Sequence, residues 1–547
     1  MDQGAPWDDP SLSLLQQRDL LLSQWQLAQL RAEQLQKERD EYRTLVALLR
    51  EENERLKRGL LGQKAERLPR NDAQLSLAIL GLALGAPATD SPPVAPPPPP
   101  TQPVAPHTRR KPVRKPLPPE LPRVVIELTP PEVQRAPQDF HYIGCDTREV
   151  LERRPAATVV VQLVYKKFVA NDSQSDSSSQ SPQTPTVHVV PTLELPIERG
   201  LAGPGLLADS LVRRFQDHQP LHRMEGIYSR EGLHLRRSTL GSWHQQLAQL
   251  ARPLVAAMFR DAMDSPCLCT DATGVLVLDK ERCRTGHFWV LVAPGRHVLY
   301  RYSPGHNKAA VDQLLSGYKG FLVADAHAVY DHLFADGSII EVGCWSHCRR
   351  YFIKALDSDP ERAKTALSYI TALFLLERQL ARASPEHRLR VRQEKSRPLV
   401  DAFFQYCQQQ REHVLQESPM WDALRYARNQ EQALRRFLTD GRLPMHNNSS
   451  ELGLRRQVLG RRNWLFCGSD QGAEVNTLWV SLLASCRLHG IEPLSYLRDL
   501  LCLLPSWPAS KILQLAPLHW AQTLQQPQTQ KKLRENLLRG VLLSQLS

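Results

Sequence analysis

The chain has 547 residues, 42% of them hydrophobic, which is room for several domains and a substantial buried core. Its 69 Lys and Arg against 57 Asp and Glu leave a formal charge of +12, which favours a polyanionic partner without saying anything about fold. No apolar run reaches the roughly 18 residues of a membrane span, the start MDQGAPWDDP lacks the basic and apolar parts of a signal peptide, and ten cysteines are too scattered for a disulfide framework. These features exclude membrane and disulfide-scaffold classes and lead us to expect a cytoplasmic protein that works on nucleic acid.

From about Ser11 to Arg58 the chain is polar, free of Pro and Gly, and places Leu35, Tyr42, Leu49 and Leu56 seven residues apart, with Leu20 and Leu27 one phase away and Leu45 supporting the seam. That spacing predicts a coiled coil with a stutter near Leu30, hence a multimerisation region over 1–70 and a homodimer or higher multimer; an amphipathic helix packed on its own protein gives the same periodicity. Residues 71–122 form a basic, Pro-rich linker, because proline removes amide donors and fixes its backbone. Arg109, Arg110, Lys111, Arg114 and Lys115 within it can grip phosphates or serve as a solvated tether. Residues 123–190 read as β-rich, closed by the Ser-rich loop NDSQSDSSSQSPQTP.

Over 191–260 two helical patterns flank REGLHLRRS: a helix from His222 to Ser229, a turn, and a second from Ser238 to Leu250 with a Ser cap. A helix-turn-helix presents the start of its second helix to DNA, making Arg236, Arg237, Ser238, Thr239 and Ser242 candidate contacts, although such helix pairs are also common in all-helical packing.

Next come a strand over Leu268–Leu278, the β-rich segments HFWVLVA and HVLYRYS, a helix over Lys308–Gly317 and a strand over Phe321–Ala324. Three neighbouring antiparallel strands, a helix and a parallel strand is the order of a ribonuclease-H-like α/β core, expected over 261–490. Asp271 lies on the first strand with Cys267 and Cys269 on the same face, and Asp325 ends the fourth. Soft thiolates do not suit Mg²⁺, so the cysteines read as small buried residues. In GCWSHCRRYF, Cys344, His347 and Cys348 lack a fourth ligand for a closed zinc site, while Arg349 and Arg350 are candidate phosphate partners or a solvated helix face. Residues 355–440 are helical and charged without strand signals, and read as an insertion in the core.

Glu451 then opens a basic helix in which Arg455, Arg456, Arg461 and Arg462 follow within about three turns and can offset phosphate charge. Trp464 and Phe466 can stack on an unpaired base or fill a core. Residues 491–547 make a C-terminal helical element. Each acid has a structural alternative: Asp271 as a strand-end turn, Asp325 as the cap of a helix AHAVYDHLF, and Glu451 as the third position of a capping box reaching back to the Asn448 amide. Together, two strand carboxylates and one helix carboxylate match the donors that hold two hard divalent ions about 4 Å apart on a phosphodiester.

The stretches GFLVADAHAVYDHL, VGCWSHCRRYF, NNSSELGLRRQVLGRRNWLFCGSDQGAE and RLHGIEPLSYLRDLL, with RGLLGQKAERLP and HQPLHRMEGIYSREGLHLRRSTLGSW upstream, resemble successive blocks of the insertion sequence 66 family of bacterial transposases. The resemblance implies a ribonuclease-H-like catalytic core interrupted by a helical insertion, an Asp-Asp-Glu triad on Asp271, Asp325 and Glu451, and Mg²⁺ as the metal with Mn²⁺ as substitute. It also places Cys and His at the positions of Cys344 and His347, so that His347 can orient DNA or the metal-binding carboxylates. Expected partners are DNA, as terminal inverted repeats and target, and small accessory proteins of the same element; the expected location is the bacterial nucleoid. The family usually carries two Cys-x-x-Cys pairs before its core, whereas this chain has no cysteine before Cys145, so no zinc is expected. Ala272, Gly274 and Leu452 also depart from the family pattern beside the triad. The implied function is transposition: water cuts the transposon end and the released 3′ hydroxyl attacks target DNA. The alternatives are a hydrolysis-only nuclease with the same triad, and a catalytically decayed transposase that binds DNA and regulates.

Overall fold

A computed structural model describes residues 121–539 except 155–156, 171–185 and 281, with isolated positions before 121. The expected coiled coil, most of the Pro-rich linker and the Ser-rich loop therefore lie outside the described residues. The chain divides into two units, one containing 349–371 and 403–428, the other 115–348, 372–402 and 429–547.

The larger unit carries two sheets. In the first, β1 (Arg123–Leu128) runs parallel to β3 (Ala157–Ala170), and β2 (Phe140–Arg154) runs antiparallel on the other side of β3, with β4 (Val187–His188) at one end. Val150, Val159, Val161, Leu163 and Tyr165 form its buried side together with Leu195 and Leu538. Hydrophobic burial thus builds this sheet, and Cys145 lies exposed.

Glu152 on β2 joins this sheet to the first core helix, α1 (Pro204–Leu211). Its carboxylate is fully buried and accepts from the amides of Leu206 (2.8 Å) and Arg153 (2.7 Å). A Cβ on Gly203 or Gly205 would collide with that carboxylate, so glycine is required there for close approach.

Next, α2 (Leu221–Arg230) and α3 (Arg237–Met263) flank a six-residue turn. The second helix is longer than expected, because buried Leu240, Trp243, Leu247, Ala251, Leu254, Met258 and Ala262 continue the three-to-four spacing past Pro253. Its N-cap is Arg236 without a side-chain cap bond, so Ser238 is not the cap but lies in the first turn.

The second sheet has the order β7-β6-β5-β8-β9, with β5 (Cys267–Asp279), β6 (Arg282–Ala293) and β7 (His297–Ser303) antiparallel, and β8 (Gly320–Val323) and β9 (Ile339–Val342) parallel to β5. The crossover from β7 to β8 contains α4 (Lys308–Leu314). This mixed α/β arrangement is consistent with a ribonuclease-H-like core. Trp289, Val290, Leu291, Leu299, Leu322 and Val323 fill the sheet's interior, and Cys267 and Cys269 are buried among them. Beyond β9, α5 (Trp345–Ala355) leads into residues 355–440, which contain helices and no strand.

After them come α6 (Asn448–Trp464), the short β10 (Phe466–Cys467), which pairs parallel to β5, and α7 (Asp470–Leu488). Ser481 and Ser485 on α7 accept the Tyr300 and Val298 amides at 2.8 and 3.1 Å, so this helix covers the β7 edge. In the smaller unit, Phe352 and Phe403 meet edge to face at 5.7 Å and Tyr351 stacks on Tyr426 at 4.6 Å.

Burial pushes the Glu152 carboxyl up from 4.5 to about 7, against the pull of the Arg153, Gly205 and Leu206 amides. Because the folded value is the higher one, its contribution to stability is present below about pH 4.5 and is lost as pH rises through about 7. Replacing Glu152 with Gln is expected to remove about 3 kcal/mol of this pH dependence, read as denaturant midpoints of the native chain and variant at pH 5 and pH 8.

Candidate active site

The parallel register of β5 and β8 sets the first two carboxylates. Cys267 lies opposite Phe321, Leu268 opposite Leu322 and Cys269 opposite Val323. Two residues beyond that paired segment on each chain stand Asp271, still within β5, and Asp325, past the end of β8. β5 continues beyond Asp271, whereas β8 ends at Val323 and the chain turns away through Ala326, whose φ of 59° is left-handed. The Asp325 Oδ1 accepts from the His327 amide at 3.2 Å and the Asp271 Oδ1 from the Ala272 amide at 2.7 Å, so local backbone holds both side chains. The helix considered for AHAVYDHLF is replaced by turns and a short 3₁₀ segment over Asp331–Phe334, and Asp325 caps no helix there.

Tyr330 reports on both acids. Its hydroxyl is pushed well above the usual tyrosine range by burial, then by the charge of Asp325 and, more weakly, of Asp271. His306 stacks on Trp289 at 4.8 Å and meets His327 at 4.7 Å. Burial pulls His306 down and neighbouring His327 adds to this, while Asp325 opposes it. A wall of aromatic and imidazole rings therefore stands beside Asp325.

The third acid arrives on α6. Its N-cap is Asn447, so Glu451 is the fourth helical residue rather than the third of a capping box built on Asn448. Asn447 is fully buried and its side chain makes no cap bond; Nδ2 donates instead to the Thr270 carbonyl at 2.8 Å, next to Asp271. The Asn447 amide donates to Cys344 Sγ at 3.2 Å, and Ser346 Oγ donates to Asn448 at 2.8 Å. These bonds lock the start of α6 against β5 and α5. His347 Nε2 then lies 3.7 Å from Glu451 Oε1. Burial pushes the Cys344 thiol up, with the Glu451 charge adding to it. Cys344 and Cys348 are fully buried packing residues.

The four arginines of α6 separate. Arg461 donates to Thr273 Oγ1 at 2.9 Å and to the Gly274 carbonyl, and Arg456 donates to Gln216, so both are engaged within the fold. Burial pulls both guanidinium groups below their ordinary value. Arg455 and Arg462, seven residues apart, are exposed on one side of the helix. The expected cluster of four is therefore an exposed pair and a structural pair, because Gln457, Gly460 and Trp464 turn the remaining face inward. Trp464 is buried with Arg214 over its ring, whereas Phe466 is exposed.

Arg236, Arg237, Ser238 and Ser242 are exposed and Thr239 half-buried at the start of α3. Arg349 and Arg350 are exposed and belong to the smaller unit. Sequence reasoning missed Asn447, Thr270, Tyr330 and His306. Asn447 had a signal in the Asn doublet before Ser449, and Tyr330 lies inside the motif around Asp325; His306 had none.

The three candidate acids offer hard carboxylate oxygens, which suit Mg²⁺ or Mn²⁺ better than a soft metal. Among the described residues, no three Asp, Glu, His or Cys side chains stand close enough to hold a cation together. Asp271 and Asp325 are hard oxygen donors that each follow the paired β5–β8 segment by two residues, while Glu451 stands beside His347.

The family model described as Transposase IS66 family matches residues 199–475, just over half of the chain. Residues 48–126 match Transposase C of IS166 homeodomain, and 481–518 match the IS66 C-terminal element. Among curated proteins, three similar chains come from Sinorhizobium fredii (strain NBRC 101917 / NGR234). The uncharacterized protein y4hP is 29% identical over 85% of this chain and 87% of its own length. The uncharacterized protein y4qI is 31% identical over 59% and 63%, and y4jD is 26% identical over 70% and 77%.

Asn447→Ala leaves the buried Thr270 carbonyl without its donor and is expected to cost about 2 kcal/mol of stability. Chemical denaturation checks the stability, and hydrogen exchange is expected to rise first at the start of α6.

Proposed function

Because the chain belongs to the IS66 family of transposases, we propose that it cuts transposon ends and joins the 3′ hydroxyl to target DNA, with Asp271, Asp325 and Glu451 holding divalent cations. The observation that supports this reading is the parallel β5–β8 pairing, which ends at Cys269 and Val323, two residues before Asp271 and Asp325, while Asn447 ties the start of the Glu451 helix to the Thr270 carbonyl. Mg²⁺ or Mn²⁺ bound there would activate the attacking oxygen and neutralise charge on the phosphodiester.

The chain's own residues supply position and charge. Asp271 enters from within β5 and Asp325 from the turn that follows β8, with one oxygen each fixed by a backbone amide. Glu451 enters from a helix start, with His347 beside it to set its orientation. Exposed Arg455 and Arg462 offer phosphate contacts on that same helix, and Arg349 and Arg350 offer a further basic pair. The N-cap and first turn of α3, with exposed Arg236, Arg237 and Ser238 and half-buried Thr239, supply a second DNA-contacting element. Residues 261–490 form the ribonuclease-H-like core, 355–440 its insertion, and 1–70 the region through which two chains hold two DNA ends. DNA places the protein on the bacterial nucleoid, where accessory proteins of the same element join it. No helix among the described residues is long and apolar enough to cross a membrane.

The test is cleavage and strand transfer on labelled DNA bearing the element's ends, with Mg²⁺ or Mn²⁺. Asp325→Ala is expected to lower both by at least about a thousandfold while leaving DNA binding intact. Tight binding without cleavage by the native chain in any divalent metal would overturn the reading in favour of a regulatory protein. Cleavage without joining of a pre-cut 3′ end would reduce it to a nuclease.

A further inference from the structure

The far end of the helix that carries Glu451 has an unusual construction. Leu465, its C-cap, adopts φ 65° and ψ −52°, a left-handed conformation that costs a branched side chain free energy and suits glycine. It is nevertheless leucine, and its side chain is 65% exposed. The surrounding structure enforces the geometry: the Leu465 amide donates to the Arg461 carbonyl at 2.8 Å, and Arg461 is tied to Thr273 and Gly274 on β5. Immediately afterwards, β10 pairs parallel to β5, placing Phe466 opposite Leu276 and Cys467 opposite Val277. Paired residues share a face. Cys467 and Val277 point into a small core with Trp464 and Phe288, while Phe466 and Leu276 point outward, 42% and 47% exposed.

The result is an outward apolar tip, Leu465–Phe466 with Leu276, on a helix whose exposed charges are Arg455 and Arg462. Two copies of such a surface would repel one another, whereas a polyanion with flat apolar faces matches both parts. From Glu451 to Leu465 the helix advances roughly 21 Å, about six steps of a DNA strand. We infer that Leu465 and Phe466 form a stacking wedge that holds unpaired nucleobases of DNA about six nucleotides from the phosphate at the carboxylates, with Arg455 and Arg462 on the intervening backbone. This rests on the transposase reading and adds to it a preference for opened DNA.

The test uses the full chain in EDTA, so that binding is read without cleavage. The probes are a fully paired duplex of about 20 base pairs and the same duplex ending in about five unpaired thymidines, a span within known single-strand site sizes. Fluorescence anisotropy is expected to show the native chain preferring the forked probe. Phe466→Ala is expected to lose about tenfold on the fork and little on the paired duplex, with Phe466→Trp restoring the preference. Leu465→Gly relieves the left-handed backbone, so it is expected to melt no lower than the native chain yet lose the fork preference.

Equal binding of both probes by the native chain, or unchanged fork preference in both Phe466→Ala and Leu465→Gly, overturns the inference. A change of sedimentation in these variants overturns it in favour of a protein contact. Asp325→Ala separates the two levels: it is expected to keep the fork preference while losing cleavage, and a native chain that cleaves without fork preference sinks the wedge alone.

Discussion

The parallel pairing of β5 with β8 is the constraint on which the candidate site depends. With Cys269 opposite Val323, Asp271 and Asp325, 54 positions apart in sequence, each follow the paired segment by two residues. A slip of one residue would turn one of them to the other face. The register is protected because Leu268, Cys269, Leu322 and Val323 are all buried, so slipping would expose apolar surface on both strands. Antiparallel β6 and β7 complete the sheet on one side, and serines of α7 close its edge.

The helix that carries Glu451 returns to β5 after residues 355–440, and the chain secures its start with a buried amide. Asn447 gives up the role of helix cap, spending its donor on Thr270 and accepting from Ser450 through its Oδ1. A fully buried side chain bonded to both the strand and its own helix fixes an angle as well as a distance, and it explains why Glu451 sits one position deeper in the helix than a capping box would place it. The free energy of this contact is modest; its value lies in geometry.

Much of the core was legible in sequence because its signals were local. Alternation located β5, β6 and β7, and the apolar run before Asp325 located β8. The family resemblance, carried by motifs around Asp325, His347 and Glu451, agrees with the matched family. Features that depend on tertiary context were not legible. Residues 326–330 have helical composition, but a turn held by Asp325 and by the His327 ring, which accepts the Val329 amide, prevails. The helix expected to end at Leu250 runs on to Met263, because the buried stripe of α3 continues through Pro253. The arginines of α6 read as one basic cluster until packing assigned Arg456 and Arg461 to internal partners. Leu465 gave no sign of its left-handed backbone, since nothing in the sequence there calls for a turn residue.

The most direct measurement of the central claim is Mn²⁺ binding to the full chain on DNA, followed by electron paramagnetic resonance. With Asp271 and Asp325 as shared donors, Asp271→Asn and Asp325→Asn are each expected to weaken Mn²⁺ binding by at least about tenfold, and Glu451→Gln to weaken it as well. Mn²⁺ binding unchanged by either aspartate substitution would contradict a cation centre at Asp271 and Asp325.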